Sequence, residues 1–202
     1  MPKPAKPDIA RFRVALRHVS PPVWRRIEVP ASYDFWELHV AIQDAMGWTD
    51  SHLHVFRINN PRTGKVDDIG IPDDDGFIGD PVSLPGWKTP IAKYFAAIGA
   101  KAKYEYDFGD GWEHDIAYEA KVAREPDAIY PRCVAGRRAC PPEDCGGPPG
   151  FEELRRAIAD PTDPDHASMM EWLGGSYDPA HFDARNVQFD DPKARWEFAF
   201  RP

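Results

Sequence analysis

The side chains best suited to metal binding lie in three short stretches of the 202-residue sequence. HLHVF carries two histidines two positions apart, so on a β-strand they would face the same side and could share one ion. RCVAGRRACPPEDCGGPPG holds all three cysteines of the chain, and clustered thiolates suit zinc. A histidine from WEHDI or HLHVF could complete a Cys3His site. The candidate metal ligands are Cys133, Cys140, Cys145, His52, His54 and His114.

Both patterns also have a purely structural interpretation. The intervals of six and four residues between the cysteines differ from the CxxC spacing of zinc knuckles, and no fourth ligand is adjacent. Three small side chains lining a rigid loop rich in Pro and Gly would produce the same pattern. In HLHVF, one histidine could pack beside Phe56 while the other faces solvent. A zinc site and a metal-free scaffold are therefore both open hypotheses at this point.

The stretch YEYDFGDGWEHDI, residues 104–116, has the pattern of a β-hairpin. A two-residue turn and a three-residue loop are both compatible with its glycines. We predict the three-residue loop, 109–111, because it gathers the apolar side chains on one face, and burial of one face strongly selects the register of a sheet. That face would contain Tyr104, Tyr106, Phe108, Trp112, His114 and Ile116.

The opposite face of this hairpin is predicted to be acidic. Glu105 would lie opposite Asp115 and Asp107 opposite Glu113, and like charges in that position are unfavourable. A basic side chain from another strand, solvent or a bound cation could offset the repulsion. The basic residues that we favour for this role are Arg132, Arg137 and Arg138. The candidate binding residues of the chain are Asp107, Asp110, Trp112, Glu113, His114, Arg137 and Arg138.

The elements that would position these residues begin with two strands and a helix. RFRVALRHV and VWRRIEVP alternate apolar and polar residues, which is typical of half-buried strands. From Asp34 the apolar spacing changes to three and four residues, which predicts a capped helix that ends at Gly47. HLHVFRI follows as a strand. This β-β-α-β opening resembles the start of a β-grasp sheet.

The rest of the chain predicts further elements around the hairpin. Residues 59–90 read as a long polar connection, and PIAKYFAAIG as a short helix. Two C-terminal helices follow, one with Glu152 and Glu153 in its first turn and one that starts at Asp163. WEFAF alternates aromatic residues and is predicted to add an edge strand or dock on a partner. The predicted class is α+β, with a mixed, mainly antiparallel sheet, a later β-hairpin and C-terminal helices.

Composition narrows the classes of protein that fit this sequence. We expect a disordered lead-in at 1–8 and one α+β domain at 9–202, with a sheet core to 128 and a loop-and-helix part beyond it. No apolar run approaches the length that crosses a bilayer, so no membrane partner is expected. The net charge of −8 opposes general nucleic-acid binding, although the basic residues of 1–30 leave a local anion site open. Few cysteines and no secretory segment predict a cytoplasmic protein.

Several long motifs together carry a family resemblance. PPVWRRIEVP, FWELHVAIQDAMGW, HLHVF, YEYDFGDGWEHDI and ACPPEDCGGPPGFEELRRAI resemble the plasmid pRi open-reading-frame-three-like family, also labelled as a TnpR-like passenger of insertion sequences. The resemblance covers residues from about 9 to 190. It implies an α+β fold and an association with mobile elements, but no biochemical activity. It also implies that HLHVF, WEHDI and the cysteine-rich stretch meet in space.

Two functions follow as hypotheses. The first is a non-enzymatic cytoplasmic binding or accessory module that holds a protein partner in preference to nucleic acid, with or without a structural zinc in the cysteine-rich stretch. The second is a metal-dependent hydrolase or nuclease-like enzyme that uses His52, His54, Asp107 and His114. A serine-recombinase activity is not expected, because no serine lies among several arginines. The motifs of other familiar enzyme classes are also absent from the sequence.

Overall fold

The computed structural model of the protein describes residues 9–72 and 83–200. The described strands are β1 Ile9–Leu16, β2 Trp24–Pro30, β3 His54–Asn59, β4 Val66–Gly70, β5 Leu84–Pro85, β6 Lys101–Tyr106, β7 Trp112–Val122 and β8 Arg132–Arg137. They form one sheet in the order β5-β4-β3-β6-β7-β1-β2-β8. Neighbouring strands are antiparallel except for the parallel pair β4–β5. The described α-helices are α1 Phe35–Met46, α2 Gly147–Ala159, α3 His166–Trp172 and α4 Pro192–Phe200. The predicted α+β class with a mainly antiparallel sheet is confirmed.

The predicted β-β-α-β opening is present, but its strands are separated in the sheet. β1 and β2 pair with each other, whereas the hairpin β6–β7 lies between β1 and β3. Phe12, Val14 and Leu16 alternate into the core, as their period-two spacing predicts. The hairpin β6–β7 therefore joins the pair β1–β2 to the pair β3–β4 within the sheet.

Helix α1 follows the sequence prediction closely. The Asp34 carboxylate accepts a hydrogen bond from the Glu37 backbone N–H at 2.9 Å, and the Glu37 carboxylate accepts one from the Asp34 backbone N–H at 2.8 Å. This capping box fixes the start of the helix, and Gly47 ends it with φ 90°. Phe35 and Leu38 are buried against the sheet, so the apolar face of α1 covers the core.

The register of the hairpin differs from the prediction by two residues. Tyr106 pairs with Trp112 and Tyr104 with His114, so the loop is 107–111 and the predicted three-residue loop is wrong. The cause is Asp107, which has φ 55° and accepts hydrogen bonds from the N–H groups of residues 109 and 110. A shift of two residues leaves every side chain of the paired strands on its predicted face. It exposes Phe108, however, which is not part of the buried face.

Three strands occupy regions that were predicted to be loops. Part of the polar connection 59–90 forms β4 and β5, and the start of the cysteine-rich stretch forms β8. β5 and β8 form the two ends of the sheet, and β4 lies next to β5. The side chains of β4 and β8 do not alternate between buried and exposed, so their sequences lack a strong period-two pattern. Residues 1–8, predicted as a disordered lead-in, and 73–82, within the predicted polar connection, lie outside the described residues.

The helical predictions were partly wrong. α2 begins at Gly147, so its two glutamates do not lie in the first turn, and PIAKYFAAIG contains only a 3-10 turn, Ile91–Lys93. WEFAF belongs to helix α4 and is not an edge strand. Its aromatic residues at i and i+4, Trp196 and Phe200, contact Trp87, whereas the intervening Phe198 is 91% exposed. None of the helices in the described ranges combines the length and apolar character needed to cross a bilayer.

Candidate metal centre at the junction of three loops

Three loops from distant parts of the sequence meet at one edge of the molecule. We call the junction of residues 48–53, 107–111 and 141–146 the three-loop site. Hydrogen bonds join these loops: Trp48 Nε1 to Pro141 O (2.9 Å), Thr49 N to Glu143 Oε2 (2.7 Å), Ser51 N to Tyr106 Oη (3.0 Å), Tyr106 Oη to Glu143 Oε1 (2.6 Å) and Gly146 N to Asp110 Oδ2 (3.2 Å). The structure thus brings the start of HLHVF next to the cysteine-rich stretch, and the third loop is the hairpin loop 107–111, which precedes WEHDI.

Each of the three loops contributes one metal-ligating side chain. The Nε2 atom of His52 lies 2.9 Å from Asp144 Oδ1 and 3.6 Å from Asp107 Oδ2, and the three donor atoms are all within 4.8 Å of one another. A tetrahedral ion with bonds of about 2.0–2.1 Å separates its ligand atoms by about 3.3 Å. Among residues 9–72 and 83–200, no other such group of three His, Cys, Asp or Glu side chains comes together. The side chain of Asp144 is 68% exposed, which leaves one side of the group open to solvent.

The backbone around these ligands is constrained. Asp107 and Asp144 have φ angles of 55° and 59°, a region that few residues other than glycine adopt and that is enriched at functional sites. A Cβ atom on Gly147 would lie 2.2 Å from the carbonyl oxygen of Asp110, so only glycine permits this approach of the two loops. The two carboxylates are therefore held by local backbone geometry and by close packing of their loops.

The predicted cysteine ligands do not assemble into a site. Cys133 lies on β8, where its Sγ donates to the Ala135 carbonyl at 3.4 Å, whereas Cys140 and Cys145 belong to the loop before α2. Burial raises the pKa of each thiol, that of Cys145 to about 12. The described residues contain no group in which these sulfur atoms approach a histidine closely enough to form the predicted Cys3His set. β8 was not predicted, and it places Cys133 on a strand of the sheet while the other two cysteines lie in the loop that follows.

Two of the predicted histidine ligands lie in the core. His54 stacks on His39 with ring centroids 3.5 Å apart, and His114 contacts the rings of Trp48 and Tyr104. Desolvation lowers the pKa of His114 to about 4 and that of His54 well below its ordinary value, so both are neutral. His54 does not join His52 in the three-loop site, because β3 begins at His54 and the alternation of a strand does not extend back to His52.

A buried polar network adjoins the three-loop site. His39 Nδ1 lies 2.8 Å from the Tyr104 hydroxyl and His39 Nε2 lies 2.7 Å from Asp50 Oδ1, while Arg195 Nη1 lies 3.7 Å from Asp50 Oδ2. Burial lowers the pKa of His39 and raises that of Asp50 to about 6. A neutral His39 therefore accepts from the tyrosine and donates to the carboxylate. The sequence did not indicate this network, because His39 occupies an ordinary core position of an amphipathic helix.

The remaining predicted binding residues have other roles. Glu113 forms an ion pair with Arg17, the residue that follows β1, and Trp112 is 1% exposed. Neither side chain is therefore available at the three-loop site. The acidic hairpin face is neutralised by basic residues that do not include the predicted arginines; the partners are Arg17 for Glu113, Arg57 for Glu105 and Lys103 for Asp115.

The arginines that were predicted to neutralise the hairpin contact other groups. Arg132 bridges Glu28 and Glu125, and Arg138 donates to the Pro22 carbonyl at 3.2 Å. They lie on or next to β8, which pairs with β2 at the end of the sheet and not with the hairpin. Of the seven predicted binding residues, Asp107 and Asp110 lie in the three-loop site.

Comparison with known proteins shows the family of this chain. The family sequence model of the plasmid pRiA4b ORF-3-like proteins matches residues 8–186. The chain belongs to the plasmid pRiA4b ORF-3-like family. The match includes all three segments of the three-loop site, and it confirms the resemblance drawn from the sequence motifs.

Relatives of this plasmid pRiA4b ORF-3-like protein share most of its length. The uncharacterized protein y4hQ of Sinorhizobium fredii (strain NBRC 101917 / NGR234) is 39% identical over 196 residues, which cover 94% of each chain. The crystal structure of MM3350, a protein of unknown function from Methanosarcina mazei Go1, superposes with a TM-score of 0.80 at 38% identity. That superposition covers 90% of this chain and 98% of the other, so the two proteins share most of the α+β architecture.

Proposed function

We propose that this protein is a metal-dependent binding module in which His52, Asp107 and Asp144 hold one divalent ion of the zinc class. The observation that carries the proposal is the convergence of one imidazole nitrogen and two carboxylate oxygens within 4.8 Å, one from each loop. Imidazole and carboxylate donors together suit zinc, iron, nickel or manganese. Three protein ligands leave coordination positions for water or for a donor group of a partner. The zinc hypothesis is thereby moved from the cysteines to the three-loop site.

A protein partner is favoured by the apolar side chains next to the ligands. Leu53 follows His52 in the sequence and is 56% exposed, and Phe108 follows Asp107 and is 52% exposed. The Asp107 N–H donates to the Leu53 carbonyl at 2.9 Å, which joins the two segments. Exposed apolar side chains beside a polar site are typical of surfaces that bind proteins. Three unpaired thiols are in keeping with an accessory role in the reducing cytoplasm.

The hydrolase hypothesis has less support from the same geometry. Two residues of its predicted set, His54 and His114, are buried and neutral in the core, where they can neither bind the ion nor activate a water molecule. Glu143, which precedes Asp144 in the sequence, is a candidate base, but its two carboxylate oxygens already accept hydrogen bonds from Tyr106 and Thr49. A binding function requires no such base.

The metal content and the affinity of the purified protein test this proposal. We expect about one zinc-class ion per chain by mass spectrometry, and we expect His52→Ala or Asp144→Asn to weaken zinc binding at least about 100-fold in a calorimetric titration. His18→Ala is the matched control, because His18 also faces a carboxylate, at 3.6 Å, but only one. This variant and Cys145→Ser should bind zinc as the native protein does.

Two outcomes would contradict the proposal. If the native protein binds no divalent ion while it is folded, the three side chains form only an ion pair between loops. If Cys145→Ser abolishes zinc binding and His52→Ala does not, the metal lies in the cysteine-rich stretch.

A further inference from the structure

A cavity lies between the C-terminal end of α1 and the segment that precedes α4. Its volume is about 700 Å³, within the range of small-molecule sites in proteins. Trp48 and Thr49 belong both to its lining and to the three-loop site, but none of the three proposed metal ligands lines it. The wall contains the apolar side chains of Ala45, Met46, Trp48 and Val187. Binding of a ligand in this cavity therefore does not require the proposed metal ion.

A buried arginine lines the cavity. Arg25, on β2, is 1% exposed. Its Nε donates to the Ala45 carbonyl at 2.8 Å, and its Nη1 donates to the carbonyls of Trp24 and Arg137 at 3.0 and 3.2 Å. These bonds use three of the five guanidinium protons, and within the described chain the Nη2 group has no acceptor. Arg25 thus retains two unused N–H donors at the cavity.

The charge of Arg25 has no carboxylate partner among residues 9–72 and 83–200. The acids of the cavity wall contact other arginines: Asp44 and Asp190 share Arg195, and Asp183 pairs with Arg185. The carbonyl of Ala45, near the C-terminal end of α1, compensates only part of a full charge. An arginine keeps its proton in proteins, and a buried charge without a counter-ion is unfavourable.

The titratable groups nearest to Arg25 do not supply the missing charge either. Its electrostatic neighbours are the thiols of Cys140 and Cys133 and the phenol of Tyr177. Burial raises the pKa of all three groups above their ordinary values, so they are uncharged at neutral pH.

An aromatic ring orients the guanidinium. The centre of the Arg25 guanidinium lies 3.7 Å from the centroid of the Phe182 ring. Phe182 reaches this position because residue 136 is glycine: a Cβ atom there would lie 2.3 Å from the ring. Stacking leaves the edge of the guanidinium plane, where Nη2 lies, available for hydrogen bonding.

We propose that the cavity binds a small organic monocarboxylate, with Arg25 Nη2 as the donor to its carboxylate and the apolar wall around its hydrocarbon part. The two unused N–H donors of Arg25 Nη2 match one carboxylate group. The acids of the wall would repel a dianion such as phosphate. The apolar part of the wall favours a ligand that also carries a hydrocarbon group.

Fluorine NMR with 4-fluorobenzoate as the probe tests this site. We expect saturable binding to the native protein with a dissociation constant below about 10 mM, and no saturation by 4-fluorobenzyl alcohol, which has the same ring without the charge. Inorganic phosphate should not displace the probe. Arg25→Met should weaken binding at least about 10-fold, the value of a hydrogen bond to a charged group. Arg26→Met is the matched control, since the neighbouring Arg26 pairs with Glu119 and does not line the cavity.

Gly136→Ala provides a second variant that retains Arg25, in case the loss of a buried arginine prevents folding. The new methyl group must displace the Phe182 ring from the guanidinium, so binding of 4-fluorobenzoate should weaken about threefold or more. The proposal is overturned if the native protein does not bind the probe, if the alcohol binds equally well, or if phosphate competes effectively. It is also overturned if folded Arg25→Met and Gly136→Ala proteins both retain native affinity.

Discussion

The carboxyl group of Asp50 allows a quantitative test of the buried network. Burial raises the pKa of Asp50 from 3.8 to about 6. At about 1.36 kcal/mol per pKa unit, this difference corresponds to a stability change of about 3 kcal/mol. The figure is an upper limit, because the N–H of His39 donates to the carboxylate and favours its charged form. Asp50→Asn removes the ionisation and retains a residue type that tolerates the φ of 63° at this position.

The sign of the effect follows from proton uptake. A carboxyl group whose pKa is raised by folding binds a proton more tightly in the folded protein, so its contribution to stability is largest at low pH. That contribution falls as the pH rises from about 4 to about 6. The free energy of unfolding of Asp50→Asn, relative to the native protein, should therefore increase by up to about 3 kcal/mol across this window.

Urea unfolding at several pH values, followed by tryptophan fluorescence, measures this difference. Glu171→Gln, at an exposed position of α3, is the matched control for the loss of a carboxyl group. A constant difference between Asp50→Asn and the native protein from pH 4 to pH 7 would refute the assignment of Asp50 as a buried, proton-binding group.

Two further substitutions test the packing of the loops and the ion pairs of the sheet. Gly150→Ala would place a Cβ atom 1.9 Å from a backbone carbonyl oxygen and should lower the melting temperature by about 5 °C or more, whereas Gly109→Ala meets only a side-chain oxygen at 3.2 Å and should change it little. Glu28→Gln weakens charged hydrogen bonds from two arginines to a fully buried carboxylate, so urea unfolding should show a loss of about 1–3 kcal/mol. Glu125→Gln, at an exposed position, should leave the stability nearly unchanged in the same assay.

The parts of the fold that the sequence predicted are those in which local and tertiary preferences agree. Helix α1 has an acidic cap, a glycine stop and an apolar face that all indicate the same bounds. The hairpin faces were correct for a related reason, since an even shift of register preserves them. Its loop length was wrong because the hydrogen bonds of the Asp107 side chain to its own loop are not visible in apolar spacing.

Helix α4 shows the opposite case. Aromatic residues at alternate positions suit a strand, but two of them, Trp196 and Phe200, are also four apart and lie on one side of a helix. The contacts with Trp87 select the helix, and no local pattern contains that information.

The candidate site was only partly predictable from the sequence. His52 and Asp107 were both singled out, but as members of sets that included the buried His54 and His114. Asp144 was not predicted as a ligand, because an acid in a loop rich in Pro and Gly has no distinctive spacing. Its role depends on the close approach of two loops at Gly147, which is a tertiary contact.

The position of the hairpin within the sheet has a consequence for synthesis of the chain. β1–β2 and β3–β4 are both complete before the hairpin emerges from the ribosome, yet each presents an unpaired edge to the missing strands. Pairing of the central strands must wait until residue 122 is available, so the nascent N-terminal half cannot close its sheet. A chain truncated before the hairpin should therefore aggregate through β1 and β3, and the native protein should fold slowly, as non-local strand pairing requires.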